Sequence, residues 1–459
     1  MRAKLDIPLS LGEIIEATGG FAPHISKSKE IHAITTDTRE MHSGDLFVPL
    51  KGARFDGEDF CEAARRAECF FITTRNHNGI IVYDASNALL AIAGHYRRKL
   101  KRLKKVVAIT GSVGKTTTKE LLLSIAKPYT RTHATNGNYN NYIGVAHTIL
   151  SAPADTAYLV AEIGMNHLGE IARCSRAVKP DIGVITRIGT SHIGNLGSRQ
   201  MIARAKLEIQ EGLRENGVLL IPYNEKTIPS AEGRKTVSII DKGADYCLVP
   251  TESSGGKTSF IFTVKGADVL RGEASIIGDG NLRALSFAIA CAVESGINED
   301  DISQSFSLIS EKNTRQKLIE WQDRLIIDDS YNASLESMIS SFEFMRHFPG
   351  RRCAVLGDIH ELGTQTEEIH FKVGAEAARL GIEKLFLFGI YSPFIRRGAV
   401  MSGISEDCIF LNNDPSDPDV TIDAIKNFTA PGDVVLFKGS HACHLDCLIS
   451  KLLVGGGLR

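Results

Sequence analysis

The run Val106-Val-Ala-Ile-Thr-Gly-Ser-Val-Gly-Lys-Thr-Thr-Thr118 restricts the possible folds of this chain more than any other stretch. A short apolar segment breaks at Thr110 into Gly111, Ser112, Val113 and Gly114, and a helical pattern opens at Lys115, Thr116 and Thr117. Residues 106–110 read as a buried parallel strand. Residues 115–126 read as a helix with Leu121, Leu122 and Ile125 inward, stopped at Pro128. Gly111 and Gly114 let backbone N–H groups crowd around an oxyanion at the positive end of that helix. Lys115 would then reach the outer phosphates of a nucleotide, and the Thr116 hydroxyl would ligate Mg²⁺. A Gly-Ser turn before an ordinary helix is the plainer alternative, and the strand before and the Gly-Lys-Thr-Thr core count against it. The full phosphate-loop spacing wants glycine where Ile109 stands, so this is a shortened variant.

At 459 residues the chain suits two or three domains, each able to bury a core. Its 53 Lys+Arg balance 54 Asp+Glu, so it lacks the charge field of a nucleic-acid binder, and 43% apolar content argues against disorder. No run approaches the about 18 apolar residues of a membrane span, and residues 1–20 lack the basic start and apolar core of a signal peptide. A cytoplasmic protein is expected, with no membrane insertion and no nucleic-acid partner. Nine cysteines, scattered and odd in number, fit reduced thiols. Cys443, His444 and Cys447 lack a second pair at finger spacing, so they read as part-buried thiols on a C-terminal helix rather than a zinc site.

Three regions are expected, 1–105, 106–312 and 313–459. The first mixes short strands and helices and ends in a charged helix over 95–105, read as a solvated face before a junction. In the second, strands are expected at 106–110, 158–163, 181–188 and 218–221, then a β-like stretch at 259–277 and an apolar helix at 282–295. Alternation restarts with strands at 325–328, 354–356, 385–388 and 434–437. The fold class is α/β, with two units joined by right-handed crossovers.

Ligands of open α/β sheets sit at the carboxyl ends of strands. Glu162 ends one expected strand and is placed to hold Mg²⁺. His192 follows another strand in a glycine-bearing loop. Alone it would be an ordinary surface histidine, but it shares the sheet edge with Glu162 and the phosphate loop. Lys206 falls on the apolar stripe Met201, Ile202, Ala205, Ile209, Leu213 of a helix expected over 199–213 and capped by Ser198. Two readings stand for it. One is a snorkelling lysine. The other is a desolvated, neutral amine that could take up CO₂ as a carbamate and so bind a cation.

Taken together these residues resemble the Mur ligase family, the ATP-dependent ligases that add amino acids to the peptidoglycan precursor. The resemblance rests on Thr110 to Thr117, on Asn138-Tyr-Asn140-Asn141-Tyr-Ile-Gly144, on Glu162-Ile-Gly164-Met-Asn166, on His192 and on Ala205-Lys206-Leu-Glu208, which fall in the family's order. It implies three domains: an N-terminal UDP-substrate domain, a central P-loop domain with a parallel sheet binding ATP, and a C-terminal Rossmann-like domain binding the incoming amine. It also implies Mg²⁺ held by Thr116, Glu162 and His192, and N6-carboxylysine at Lys206. Within the family the likeness is nearest to the ligases that join D-alanyl-D-alanine to UDP-N-acetylmuramoyl-tripeptide through an acyl phosphate. Asp37-Thr38-Arg39 and Gly44-Asp45-Leu46-Phe47 resemble the D-S-R and G-D-L-F segments of the UDP-binding domain. Asp328-Asp329-Ser330-Tyr331-Asn332-Ala333, Leu356-Gly357-Asp358-Ile359-His-Glu361-Leu362-Gly363 with His370, and Lys438-Gly439-Ser440 resemble C-terminal signatures. By the same resemblance Asn281, Arg315 and Asp329 would touch the nucleotide. Asp37, Thr38, Arg39, Asn140, Asn141, Tyr331, Asn332, Lys438 and Ser440 would touch the other substrates. A monomer is expected.

Departures bear on binding rather than on reaction type. The family's H-N-x-x-N-A segment is Gly280-Asn281-Leu-Arg-Ala284 here, Y-N-A-N-P becomes Tyr331-Asn332-Ala333-Ser334-Leu335, and Thr314 stands where glycine precedes Arg315. A neighbouring family member's D-N-P-R motif is scrambled to Asn413-Asp414-Pro415-Ser416. The alternatives are another ligase of the superfamily with a different acceptor or amino acid, and, more distantly, a P-loop ATPase or switch.

Overall fold

The computed structural model describes residues 1–52, 54–75, 78–229, 233–310, 314–412 and 417–454. The expected boundary at 312/313 and the motif at 413–416 fall outside them. Three sheets follow one another along the chain. The first has the order β1 (Arg2–Ser10), β2 (Glu30–Thr35), β3 (Leu46–Phe47), β4 (Phe70–Thr73), β5 (Ile80–Ile81), antiparallel between β1 and β2 and parallel thereafter. A helix, Ala85–Lys99, backs it. It starts well before the expected residue 95 because Asp84 caps it, accepting the Asn87 N–H at 2.6 Å, and it ends before 105, where the next strand begins. Nor is it merely a solvated face. Tyr96 is fully buried, and its hydroxyl takes the Asp6 N–H at 3.2 Å and donates to the Ala152 carbonyl at 2.9 Å. The Ala154 N–H donates to Asp6 at 2.7 Å and Arg173 to Ser86 at 2.7 Å, fastening the first sheet to the second.

The second sheet comprises β6 (Lys105–Thr110), β7 (Thr132–Ala134), β8 (Tyr158–Glu162), β9 (Ile182–Ile185), β10 (Val218–Pro222), β11 (Arg234–Ile239), β12 (Tyr246–Ser254), β13 (Lys257–Val264) and β14 (Ala267–Ala274), in the order β14-β13-β12-β11-β10-β9-β6-β8-β7. β6 lies between β8 and β9, parallel to both, so the phosphate loop leaves the sheet beside the ends of its two neighbours. β9 stops short of the expected residue 188. Thr186 turns back, its N–H on the Thr110 carbonyl at 2.9 Å and its hydroxyl on the Val113 carbonyl at 2.6 Å. The β-like stretch resolves into a hairpin, β13 and β14, turned through Lys265 and Gly266 at φ 48° and 81°.

The third sheet comprises β15 (Lys317–Trp321), β16 (Arg324–Asp328), β17 (Arg352–Gly357), β18 (Lys384–Phe388), β19 (Ile409–Asn412) and β20 (Val434–Lys438), in the order β15-β16-β20-β17-β18-β19, parallel except for β15. The helices Thr366–Arg379 and Ser392–Met401 cross in close contact on it. A Cβ at Gly374 would lie 1.9 Å from the Ile395 carbonyl oxygen, and one at Gly398 2.0 Å from that of Phe371. One apolar core runs from Leu9 and Ile14 through Val106 and Ile149 to Met338 and Leu356.

Two further local expectations need correction. The helix beginning at Arg199 ends at Leu207 and tightens into a 3₁₀ turn, Glu208–Gly212. Glu208 is drawn away to take the Gly169 N–H at 2.7 Å and the Ala172 N–H at 3.2 Å, while Gly212 packs on the Ser175 backbone, where a Cβ would lie 2.0 Å from the carbonyl oxygen. Cys443 sits in a 3₁₀ turn before the helix Leu445–Val454, and Cys447 on that helix is exposed. Among the described residues no helix is long and apolar enough to cross a membrane.

Candidate active site

β6 ends at Thr110 and the chain passes through Gly111 at φ 149° and Gly114 at φ 88° into the helix Lys115–Ala126. A Cβ on Gly111 would lie 1.9 Å from the Thr186 hydroxyl oxygen, so both the conformation and the space require glycine. Lys115 folds back to donate to the Gly111 carbonyl at 2.7 Å. Desolvation pulls its ammonium down to about 8, against the attraction of Glu162. The loop is tied to the end of β9 by the Ser112 N–H on the Arg187 carbonyl at 2.9 Å and by the Gly189 N–H on the Ser112 hydroxyl at 2.9 Å.

Glu162, at the end of β8, is fully buried. Its carboxylate accepts the Thr116 hydroxyl at 2.9 Å and the Asn140 amide at 2.8 Å, and Arg315 donates to the same Thr116 oxygen at 2.6 Å. Among the described residues Glu162 makes no salt bridge. Its direct side-chain donors are neutral and Lys115 attracts it only from beyond salt-bridge distance, so no cation touches this buried carboxylate among the described residues. Lys119, also buried, holds the loop before Asn140 through the Thr135 and Gly137 carbonyls at 2.7 and 3.2 Å. Asn141 is used locally, capping the helix Tyr142–Leu150 by accepting the Gly144 N–H at 2.9 Å.

Lys206 is 2% exposed, and no hydrogen bond or ion pair of its amine is present among the described residues. Burial, reinforced by Lys115, holds its ammonium well below the usual lysine range. His192 stands at φ 64°, its Nδ1 2.5 Å from Glu361 on the loop after β17. That contact with His192 holds the Glu361 carboxyl below its ordinary range.

Two clefts meet at the loop. One, about 740 Å³, is lined by Ser112, Val113, Gly114, Lys115 and Thr117 with Asn281, Arg315, Asp329, Asn332 and Lys438. The other, about 1220 Å³, is lined by Asn140, Asn141, His192, Tyr331, Glu361 and Ser440. Lys115, Arg315 and Asn332 belong to both. Arg315 lies over the Tyr331 ring, 4.4 Å from its centroid, and the Tyr331 hydroxyl accepts from Asn138 at 2.6 Å. Lys438, buried, pairs with Asp329 at 2.7 Å, whose carboxylate also takes the Ser341 hydroxyl at 2.6 Å. Ser440 takes the His360 N–H at 2.9 Å. Asn281 donates to Gln316 at 3.0 Å, bracing the cleft wall. Asp37, Thr38 and Arg39 stand apart on a 3₁₀ turn of the first sheet, where Arg39 pairs with Asp37 at 2.6 Å and the chain's amino terminus with Asp37 at 3.6 Å; none of the three lines either cleft.

The sequence matches the Mur ligase middle domain over residues 109–292, the Mur ligase glutamate ligase domain over 314–441 and the Mur ligase family catalytic domain over 30–108. The chain belongs to the Mur ligase family. It is 35% identical to the UDP-N-acetylmuramoyl-tripeptide--D-alanyl-D-alanine ligase of Bacillus subtilis, over 92% of this chain and 93% of that one. The crystal structure of MurF from Acinetobacter baumannii superposes with a TM-score of 0.86 at 29% identity, over 98% and 99% of the two chains. MurF from Thermotoga maritima, solved in complex with ADP, gives 0.79 at 27% identity over 92% and 98%.

The departures from the family pattern are accommodated locally. Ser334 caps the helix Leu335–Met345, accepting the Ser337 N–H at 3.3 Å, as the family's asparagine could, and Leu335 takes the first-turn place of proline. At Gly280 a Cβ would lie 2.5 Å from the Ser340 hydroxyl oxygen, so Ser340 fills space that a larger residue would need. Ala284 lines a recess of about 350 Å³ beside the loop with Arg283, Phe287 and Thr118. Glu361, Gln316 and Ser341 contribute to the site without having been singled out from sequence. Glu361 lies inside a motif at a strand end, the one signal that pointed to it.

Proposed function

We propose that this Mur ligase uses ATP and Mg²⁺ to join D-alanyl-D-alanine to UDP-N-acetylmuramoyl-tripeptide. The observation that carries the reading is the shared wall of the two clefts at Lys115 and Arg315. A nucleotide seated in the smaller cleft would direct its terminal phosphate into the larger one, where a substrate carboxylate can receive it. Carboxylate and amine do not condense unaided in water. Transfer of the γ-phosphoryl group to the carboxylate oxygen gives an acyl phosphate and ADP. The free amine of the dipeptide then attacks the acyl carbon, the amide forms, and phosphate leaves with the C–O bond pair while the amine loses a proton. Lys115, Arg315 and the loop N–H groups neutralise charge on the transferring group. Ser440, lining the larger cleft, would help orient the incoming amine, and Lys438, on the wall of the smaller one, would lie near the γ-phosphate.

Thr116 and Glu162 offer hard oxygen donors where a buried carboxylate has no cation in direct contact, which suits Mg²⁺ with His192 alongside. Bound there, Mg²⁺ would supply further charge neutralisation on the phosphates. Lys206, neutral by desolvation, is suited to add CO₂ through a new N–C bond with loss of a proton, giving an anion for a second ion. The domains are proposed as 1–105 for the UDP substrate, 106–312 for ATP and 313–459 for the amine, in a monomeric cytoplasmic enzyme.

The test is phosphate release from ATP with UDP-N-acetylmuramoyl-tripeptide, with and without D-alanyl-D-alanine, the product read by mass. Release requiring both, with a product heavier by the dipeptide less water, is expected. ATP binding without stimulation by either substrate would place the acceptor elsewhere in the superfamily.

A further inference from the structure

The contact between His192 and Glu361 crosses from the second sheet's loops to the third's, and it is unusually specified on both sides. His192 and Glu361 both hold left-handed backbone, φ 64° and 62°. That conformation is strained for a non-glycine residue, so it persists only where the surroundings fix it. The fixing is visible in the main chain. The Gly194 N–H donates to the Glu361 carbonyl at 2.9 Å, and a Cβ on Gly194 would lie 2.6 Å from that oxygen and 2.6 Å from the Gly363 nitrogen. The Gln365 amide reaches the Gly197 carbonyl at 3.5 Å. The short helix Ile193–Leu196 is therefore seated on the 361–365 loop, backbone against backbone.

An imidazole has two nitrogens, and a carboxylate on one decides which is free. Glu361 stands against Nδ1, which favours the tautomer with the proton on that nitrogen and with Nε2 as the donor available to the cleft that His192 lines. We infer that Glu361 is a positioning residue that sets His192 for metal binding and, because it stands on the C-terminal domain, makes the complete metal set depend on that domain being docked. This rests on the proposed reading of His192 as a Mg²⁺ ligand. The arrangement has a chemical use. An acyl phosphate formed with the domains apart would meet water, so a site completed only on docking delays activation until the amine-binding face is in place.

The test reads metal affinity directly, with Mn²⁺ replacing Mg²⁺ and a non-hydrolysable ATP analogue present, free Mn²⁺ being followed by electron paramagnetic resonance. His192→Ala and Glu361→Ala should each weaken Mn²⁺ binding by roughly 10- to 100-fold, the range for losing a partner that orients a ligand. Glu361→Gln, whose amide oxygen can still accept from Nδ1, should keep most of the affinity. Gly194→Ala should weaken Mn²⁺ binding and enlarge the radius of gyration in solution scattering, with both side chains intact. If His192→Ala weakens binding and Glu361→Ala and Gly194→Ala do not, the positioning role is wrong while the metal reading stands. If His192→Ala leaves Mn²⁺ affinity unchanged, both are wrong.

Discussion

Lys115 shows how one residue's environment sets its chemistry. Burial lowers its ammonium to about 8, so in the free protein it is charged below that pH and increasingly neutral above it. Nucleotide phosphates favour the charged form, so binding should raise the pKa and draw in a proton. At pH 8.5, calorimetry in buffers of different ionisation enthalpy should record proton uptake on ATP binding, with affinity falling toward about tenfold per pH unit as pH rises further. Absence of uptake would mean that the lysine stays charged without ligand. Lys206 is held neutral more strongly still. Lys206→Ala should cut ligase turnover on the order of a hundredfold or more, with no rescue by bicarbonate, because the atom that would carry the carbamate is gone; near-normal turnover would dismiss the carbamate. The inward direction of Lys206 was legible from helical spacing, since Ile202, Ala205 and Ile209 share its buried face. The pairing of His192 with Glu361 was not, because 169 residues separate them and no periodicity links residues on different sheets.

Elements with strong apolar runs were legible, and those shaped by partners were not. The helix Lys115–Ala126 has the expected bounds because glycine precedes it and Pro128 follows it closely. β11 and β12 were invisible: they carry polar residues such as Lys235, Thr236, Glu252 and Ser253 and owe their pairing to neighbours on the sheet. The helix from Arg199 ends early for the same kind of reason, its next turn being claimed by the helix Glu170–Val178. At this scale the glycines of the crossing helices make a direct prediction. Gly398→Ala puts a methyl 2.0 Å from a carbonyl oxygen and should destabilise the protein by about 1–3 kcal/mol through overpacking. Denaturant melts would read the loss. ATP affinity should be unchanged, since this contact lies away from both clefts.

For the whole molecule, three successive regions were legible, two of them as α/β units from the restart of strand and helix alternation after 313; the sheet of the first region and the seams between the sheets were not. The seam between the first and second sheets is made by Tyr96, Asp6 and Arg173, whose partners lie far off in sequence. The seam between the second and third is made by Arg315, Asn138, Thr190 and His192, with Thr190 donating to Glu336 at 3.0 Å. The two differ in kind. The first is welded by a largely buried helix; the second adds to the apolar core that continues through it a set of polar contacts gathered around a cleft. If the UDP end of the substrate is anchored at the Asp37 turn, as the family resemblance implies, a substrate reacting at Lys115 is held against a ruler. Dropping one residue from the peptide would leave its carboxylate up to about 3.5 Å short of the loop, enough to lower turnover on the order of a hundredfold while sparing affinity. Phosphate release assayed with the shortened UDP-linked peptide measures that gauge, and equal turnover would show that the ruler bends.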